Sequence, residues 1–188
     1  FYYGIKTGFN EAFVIDEETK NLLIKEDPKS EVLIKPWLRG RDIKKWKVKW
    51  AGLYLVSIPS SANKTCTWSD ETTETKAREI FKNTYPAIHD HLTQWEDKLI
   101  KRDDQGKFWW ELRSCVYYHE FDQTKIIYPD IAQAPEFTWD ESKSLLGNTA
   151  YIIPTNEKWL LGLLNSNLFW WFYLNVSSTI RGGFVRFI

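Results

Sequence analysis

A chain of 188 residues has room for one substantial domain or two small subdomains, and its 43% hydrophobic and 27% charged residues exclude intrinsic disorder. Its 25 basic and 25 acidic residues cancel, which excludes an indiscriminate DNA coat but permits one basic face. The 11 Trp, 11 Phe and 9 Tyr are enough large rings to fill a core and also furnish a binding face.

In chain order, residues 1–24 predict two strands: a turn-rich opening at Gly4–Gly8, a strand at Ala12–Ile15, a polar turn at Asp16–Asn21 and a return at Leu22–Ile24. Asp27–Ser30 breaks the pattern before Val32–Ile34. Lys35 to Lys49 then holds seven basic residues against Asp42 alone, a net charge of +6, with Trp37 and Trp46 inside it and Trp50 just beyond. Such a segment suits a polyanion, because cations neutralise phosphates and planar side chains stack. Leu53–Ile58 reads as a buried strand closed by Pro59, and residues 60–67 as a polar loop.

Two helices are expected next. One spans Asp70–Asn83, capped by Asp70. The other starts near Thr84 with Pro86 in its first turn, and sets Ile88, Leu92, Trp95 and Leu99 on one inward face. Asp90, Glu96, Asp97, Lys101 and Arg102 are expected in water. Strands are predicted at 108–110, 116–118, 125–128 and 150–153. Lys158–Leu174 is apolar all round, which predicts a core helix. A Gly-Gly-kinked tail carries Arg181 and Arg186.

Cys66 and Cys115 form neither a zinc set nor a disulfide framework, the usage expected in a reducing cytosol. No apolar run is long enough for a membrane-spanning helix, and no membrane partner is expected. Phe1 opens directly into a strand-like run, so no signal peptide is read. Without any Met, the chain reads as a segment of a longer protein.

Motifs for catalysis are sparse. No Gly-rich dinucleotide fingerprint or phosphate-binding loop is present. His89 and His91 point to different faces of a predicted helix and read as surface residues. Ser61-Ala62-Asn63-Lys64 has the Ser-x-x-Lys spacing of penicillin-recognising enzymes, but it lies in a polar loop, and Lys6-Thr7-Gly8 precedes it where those enzymes need the reverse order. Asp130 followed by Glu141 and Lys143 imitates a Mg²⁺-dependent nuclease, in which two carboxylates hold the metal and a lysine polarises water. That reading stands as an enzymatic alternative. Another is an inter-domain packing module that uses the Trp-rich helix and touches no DNA. The candidate DNA-binding residues are Lys6, Thr7, Arg39, Arg41, Lys44, Lys45, Lys64, Arg113, Tyr117, Lys125, Trp139 and Arg181. Lys47 and Lys49 add affinity. Arginine reads guanine, lysine anchors phosphate and rings stack on bases.

Taken together, six blocks in order resemble the TaqI-like C-terminal specificity domain family. They are Gly4-Ile5-Lys6-Thr7-Gly8-Phe9-Asn10-Glu11-Ala12-Phe13; Lys35-Pro36-Trp37-Leu38-Arg39-Gly40-Arg41-Asp42-Ile43; Trp110-Glu111-Leu112-Arg113; Lys125 to Ile131; Leu161 to Ser166; and Arg181-Gly182-Gly183-Phe184. The resemblance implies a target-recognition domain of an adenine-N6 DNA methyltransferase or a type IIG restriction-modification enzyme, in the cytoplasm of a bacterium or archaeon. Its implied partners are double-stranded DNA and an N-terminal methyltransferase domain of the same chain. S-adenosylmethionine would bind that catalytic domain, and Mg²⁺ a nuclease domain if one is present; this segment would hold neither and would not be catalytic. It also implies that Arg41 and Asp42 form an internal pair, leaving Arg39 and the lysines for phosphate. The fold expected for residues 1–188 is α+β: one strand-rich recognition domain braced by a helical pair (70–103) and an apolar C-terminal helix (158–175).

Overall fold

The computed structural model of the chain describes residues 1–177, 179–180 and 182–187. It is an α+β fold whose chain divides into two compact units, each assembled from separated stretches. The first contains residues 1–4 and 38–51 and the described residues from 117 onward; the second contains residues 5–37 and 52–116.

The first unit is built on an antiparallel sheet in the spatial order Tyr2–Tyr3, Ala150–Pro154, Lys125–Pro129, Thr138–Asp140. The two predicted strands at 125–128 and 150–153 are both present, and they pair with each other. Alternation sorts the 125–129 strand. Ile126 and Tyr128 enter a cluster with Phe137 and Phe187, covered by Leu160, Leu164, Phe169 and Trp170. Tyr128 lies directly opposite Tyr151, their rings stacked at 5.5 Å. In the same strand Lys125, wholly buried, faces Asp140 across the ladder and closes an ion pair of 2.7 Å.

The apolar helix expected over 158–174 is two helices, Lys158–Leu164 and Asn167–Val176. Asn165 makes the break. Its side chain accepts the Phe137 N–H at 3.2 Å and donates to the Phe137 carbonyl at 2.8 Å, a pairing that suits a residue leaving the helical ladder. Ser166 then caps the second helix by accepting the Phe169 N–H. Neither helix is a core helix here: no residue of either is fully buried, and Trp159, Leu168 and Trp171 are each more than 60% exposed. Beyond them, Thr179–Ile180 pairs with Phe184–Arg186, which pairs with Ile131–Ala132. Among the described residues no helix is long and apolar enough to cross a membrane.

The second unit centres on three antiparallel strands, Val14–Ile15, Tyr54–Val56 and Ile34–Leu38, the 54–56 strand in the middle. The return strand expected at Leu22–Ile24 is instead part of a helix, Glu17–Glu26. Asp16 accepts the Thr19 N–H at 2.8 Å, and Glu17 and Glu18 occupy the first turn. The polar residues taken for a turn are a helix N-terminus, where carboxylates favour the helix dipole. The next helix runs Glu74–Thr84 after Thr73, four residues later than expected at its start. Pro86–Thr93 and Glu96–Leu99 share the predicted inward stripe of Ile88, Leu92 and Leu99, but the chain breaks between them at Trp95.

Two polar residues expected in water are buried. His89 packs edge-on to Phe81, with its ring 2.8 Å from the Asp90 carboxylate. Arg102 lies 4.6 Å over the Phe13 ring and donates to the carbonyls of Thr7, Asp104, Trp109 and Glu111. Burial draws its pKa down to about 10. Nor is 108–110 a strand: Trp110 sits in a turn, stacked between Phe108 at 4.8 Å and Phe81 at 5.4 Å. Residues 116–118 likewise make no strand; a short 3₁₀ helix begins at Tyr118.

Candidate nucleic-acid interface

The basic stretch leaves the sheet as a 3₁₀ turn, Gly40–Asp42, followed by a small hairpin of Ile43–Lys44 against Lys47–Val48. Gly40 is there because nothing larger fits. A Cβ would stand 2.2 Å from the Thr149 carbonyl oxygen, while the Gly40 N–H donates to the Thr149 hydroxyl at 2.9 Å. Asp42, buried, closes the turn by accepting the Arg39 backbone N–H and the Nε and Nη2 edge of the Arg39 guanidinium, at 2.9 and 2.8 Å. That bond raises the Arg39 pKa further.

The internal pair is therefore Arg39 with Asp42, and the expected pair of Arg41 with Asp42 is not formed. A 3₁₀ turn brings residue i back over i+3, so the side chain three positions before Asp42 meets its carboxylate. Arg41 is exposed instead and lines a cleft of about 490 Å³. Lys44, Asp130, Gln133, Thr149 and Phe184 share that cleft. Lys44 is held 3.0 Å from Glu136, and Arg186 lies 3.6 Å from Asp130. Lys45, Lys47 and Lys49 are exposed around the hairpin. Among the described residues, Arg41, Lys45, Lys47 and Lys49 form no ion pair. Four cations thus face solvent within nine residues.

The remaining candidates are dispersed. In the first unit, Lys125 cannot reach a ligand: its ammonium is spent on Asp140 and on the Phe121 carbonyl at 2.7 Å. Tyr117 is half-buried and gives its hydroxyl to the Tyr3 carbonyl at 3.1 Å. Trp139 packs against the helix-covered cluster, with its N–H on Glu141 and Lys158 over its ring. Arg181 lies outside the described residues. In the second unit, Thr7 is buried and bonded to Asn10, and Lys6 is half-buried. Arg113 is exposed and pairs with Asp104 at 3.2 Å, and Lys64 is exposed with a left-handed backbone.

The nuclease constellation is not assembled by hydrogen bonds among its members. Asp130 faces Arg186, Glu141 accepts from Trp139, and Lys143 lies exposed on a left-handed turn. Among the described residues no group of three or more His, Cys, Asp or Glu side chains could hold a metal ion. Ser61 of the Ser-x-x-Lys motif donates to the buried carboxylate of Glu111, which also accepts the Trp68 indole N–H at 2.9 Å and the Lys107 N–H at 2.8 Å. A serine so placed serves the architecture. Gln133, at the cleft, is missed by the sequence reading, since no local pattern distinguishes it from other loop residues; Phe184, also at the cleft, is read only as a family landmark and not as a cleft residue.

The model of the TaqI-like C-terminal specificity domain matches residues 35–188. The match begins at the Lys35-Pro36 block, so the opening Gly4–Phe13 block lies outside it. A type II methyltransferase of Methanocaldococcus jannaschii, M.MjaIV, is 28% identical over 195 residues, covering 98% of this chain; the chain spans 59% of that relative's length. A solved structure of the type IIL restriction-modification enzyme MmeI in complex with DNA aligns with a TM-score of 0.48 at 16% identity, over 88% of this chain and 20% of that one.

Proposed function

The chain belongs to the TaqI-like C-terminal specificity domain family, and from that membership we propose that it binds duplex DNA sequence-specifically and holds a target adenine for a separate catalytic domain. The observation carrying this reading is the group of solvent-facing cations Arg41, Lys45, Lys47 and Lys49, of which Arg41 lines the 490 Å³ cleft. Each can displace a condensed counterion from a phosphate, while a cleft with Gln133 and Thr149 in its lining offers hydrogen bonds that a base edge can use.

The parent protein is, in this reading, an adenine-specific methyltransferase or a type IIG restriction-modification enzyme. S-adenosylmethionine belongs to its catalytic domain. Residues 1–188 contain neither an Asn-Pro-Pro-Tyr motif nor a Gly-rich nucleotide cradle, so they do not fit that cofactor. The exposed apolar side chains of the 158–164 and 167–176 helices support packing on such a neighbouring domain. An adenine inside a duplex must be flipped out before its N6 can react, so the recognition unit contributes by gripping the flanking backbone.

Filter binding of the chain to duplex DNA across a salt series tests the proposal. Affinity should fall as salt rises, with a log–log slope of roughly −0.9 per phosphate neutralised. Salt-independent binding, or none, removes it.

A further inference from the structure

At the tip of the 43–48 hairpin, Lys44 pairs with Lys47, so Lys45 and Trp46 alone make the turn. Trp46 has φ +68°, the left-handed slot that a two-residue turn normally fills with Gly or Asn. A bulky aromatic is the wrong residue for that backbone. The indole gains little from the fold in return: it is 54% exposed, with the Lys45 ammonium 5.9 Å over its ring.

The same turn breaks a second rule. Lys44 and Lys47 are direct cross-strand partners, and like charges placed opposite one another destabilise a ladder. Glu136, 3.0 Å from the Lys44 ammonium, relieves that repulsion, so the mark of a position shaped by something other than stability is the left-handed tryptophan itself. The backbone beneath is nevertheless held. The Trp46 N–H donates to the Phe137 carbonyl at 3.0 Å, and that carbonyl also accepts the Asn165 side chain at 2.8 Å. A carbonyl oxygen has two lone pairs, and both are used here to fix the tip against the aromatic cluster.

We propose that Trp46 is a stacking wedge that inserts its indole between adjacent base pairs of the duplex gripped by the surrounding cations. This rests on the DNA-binding reading above. A rigid tip with Lys45 in its turn, Lys47 and Lys49 directly after it and Arg41 just before the hairpin, all exposed, selects a polyanion, and an exposed ring on that tip selects one with flat apolar faces to receive it. Nucleic acid has both properties.

Trp46→Gly is the discriminating variant, because glycine suits φ +68° and should leave thermal unfolding by circular dichroism unchanged or slightly later. A random-sequence duplex pool enriched on the wild-type chain supplies the probe. Trp46→Gly should bind it roughly 5- to 150-fold more weakly, the loss expected for one ring–base stack, with an unchanged salt slope. Trp46→Phe should retain most of the affinity. Wild-type chain should also unwind a closed circular plasmid relaxed by topoisomerase in its presence, and Trp46→Gly should not. If Trp46→Gly binds as tightly as wild type, or loses affinity only by flattening the salt slope, the wedge is overturned while DNA binding stands. If wild-type chain enriches no duplex at all, the DNA-binding reading fails, and the wedge with it.

Discussion

The Asp42 carboxylate grips Arg39 at three points, accepting its backbone N–H at 2.9 Å and the Nε–H and Nη2–H along one edge of its guanidinium. Arg41, two residues on, is turned outward to the cleft. Two arginines that look equivalent in the sequence thus divide into one that builds the turn and one that faces outward.

Replacing Asp42 with Ala should cost stability without touching the outward cations directly. The lost charge-assisted bonds are worth about 1.5–3 kcal/mol, toward the low end because Arg39 is partly exposed. An earlier midpoint in urea, with unchanged m-value, is the expected result.

Reversing Arg41, or Lys47, to Glu should do the opposite. Stability should stay within about 0.5 kcal/mol, as for most surface substitutions. DNA affinity should fall, and the salt slope should drop by about 1 for each phosphate contact removed. Filter binding and thermal melts on the same samples separate the two effects. An unchanged salt slope in the Arg41 variant would take that residue out of the interface.

Lys125→Met should behave as a core lesion. The substitution leaves the Asp140 carboxylate, itself only 5% exposed, without its 2.7 Å partner. Breaking such a pair costs about 3–5 kcal/mol. Removing both charges together, as Lys125→Met with Asp140→Leu, should recover much of that loss. DNA affinity of the folded fraction should keep its wild-type salt slope, since Lys125 reaches no solvent.

Cys66 supplies a pH test. Burial pushes its thiol up to about 11. Only the thiolate alkylates, so labelling by iodoacetamide should be slow at neutral pH and rise toward half-maximal rate near that value. The raised pKa means the folded state favours the neutral thiol. Any stability linked to it is complete below the ordinary thiol range and is lost as pH climbs through about 11. Site-resolved mass spectrometry against pH reads the first effect directly; half-labelling near pH 8.5 would contradict the buried environment.

Much of the periodic structure was legible. Lys125–Tyr128 and Ala150–Ile153 read as strands because β-branched and aromatic residues cluster there, and both are strands. The Ile88, Leu92 and Leu99 stripe faced inward as its spacing required. The family blocks were readable too, and Gly40 now has its reason in the approach of the Thr149 carbonyl. Elements whose state depended on a cap, such as 17–26, or on a distant partner, such as the break at Asn165, were misread.

By itself, then, the sequence determined an α+β chain with a basic, aromatic-studded segment and the landmarks of a specificity domain. Composition and short-range periodicity depend only on neighbouring residues. Tertiary structure alone decided which of those charges face outward. Lys44 is tied to Glu136, 92 positions away, and Lys125 is buried against Asp140. Trp46 is held aloft by a carbonyl of Phe137 that Asn165 also holds. A cation's availability depends on whether a carboxylate folds within a few ångströms of it, and no local pattern contains that distance.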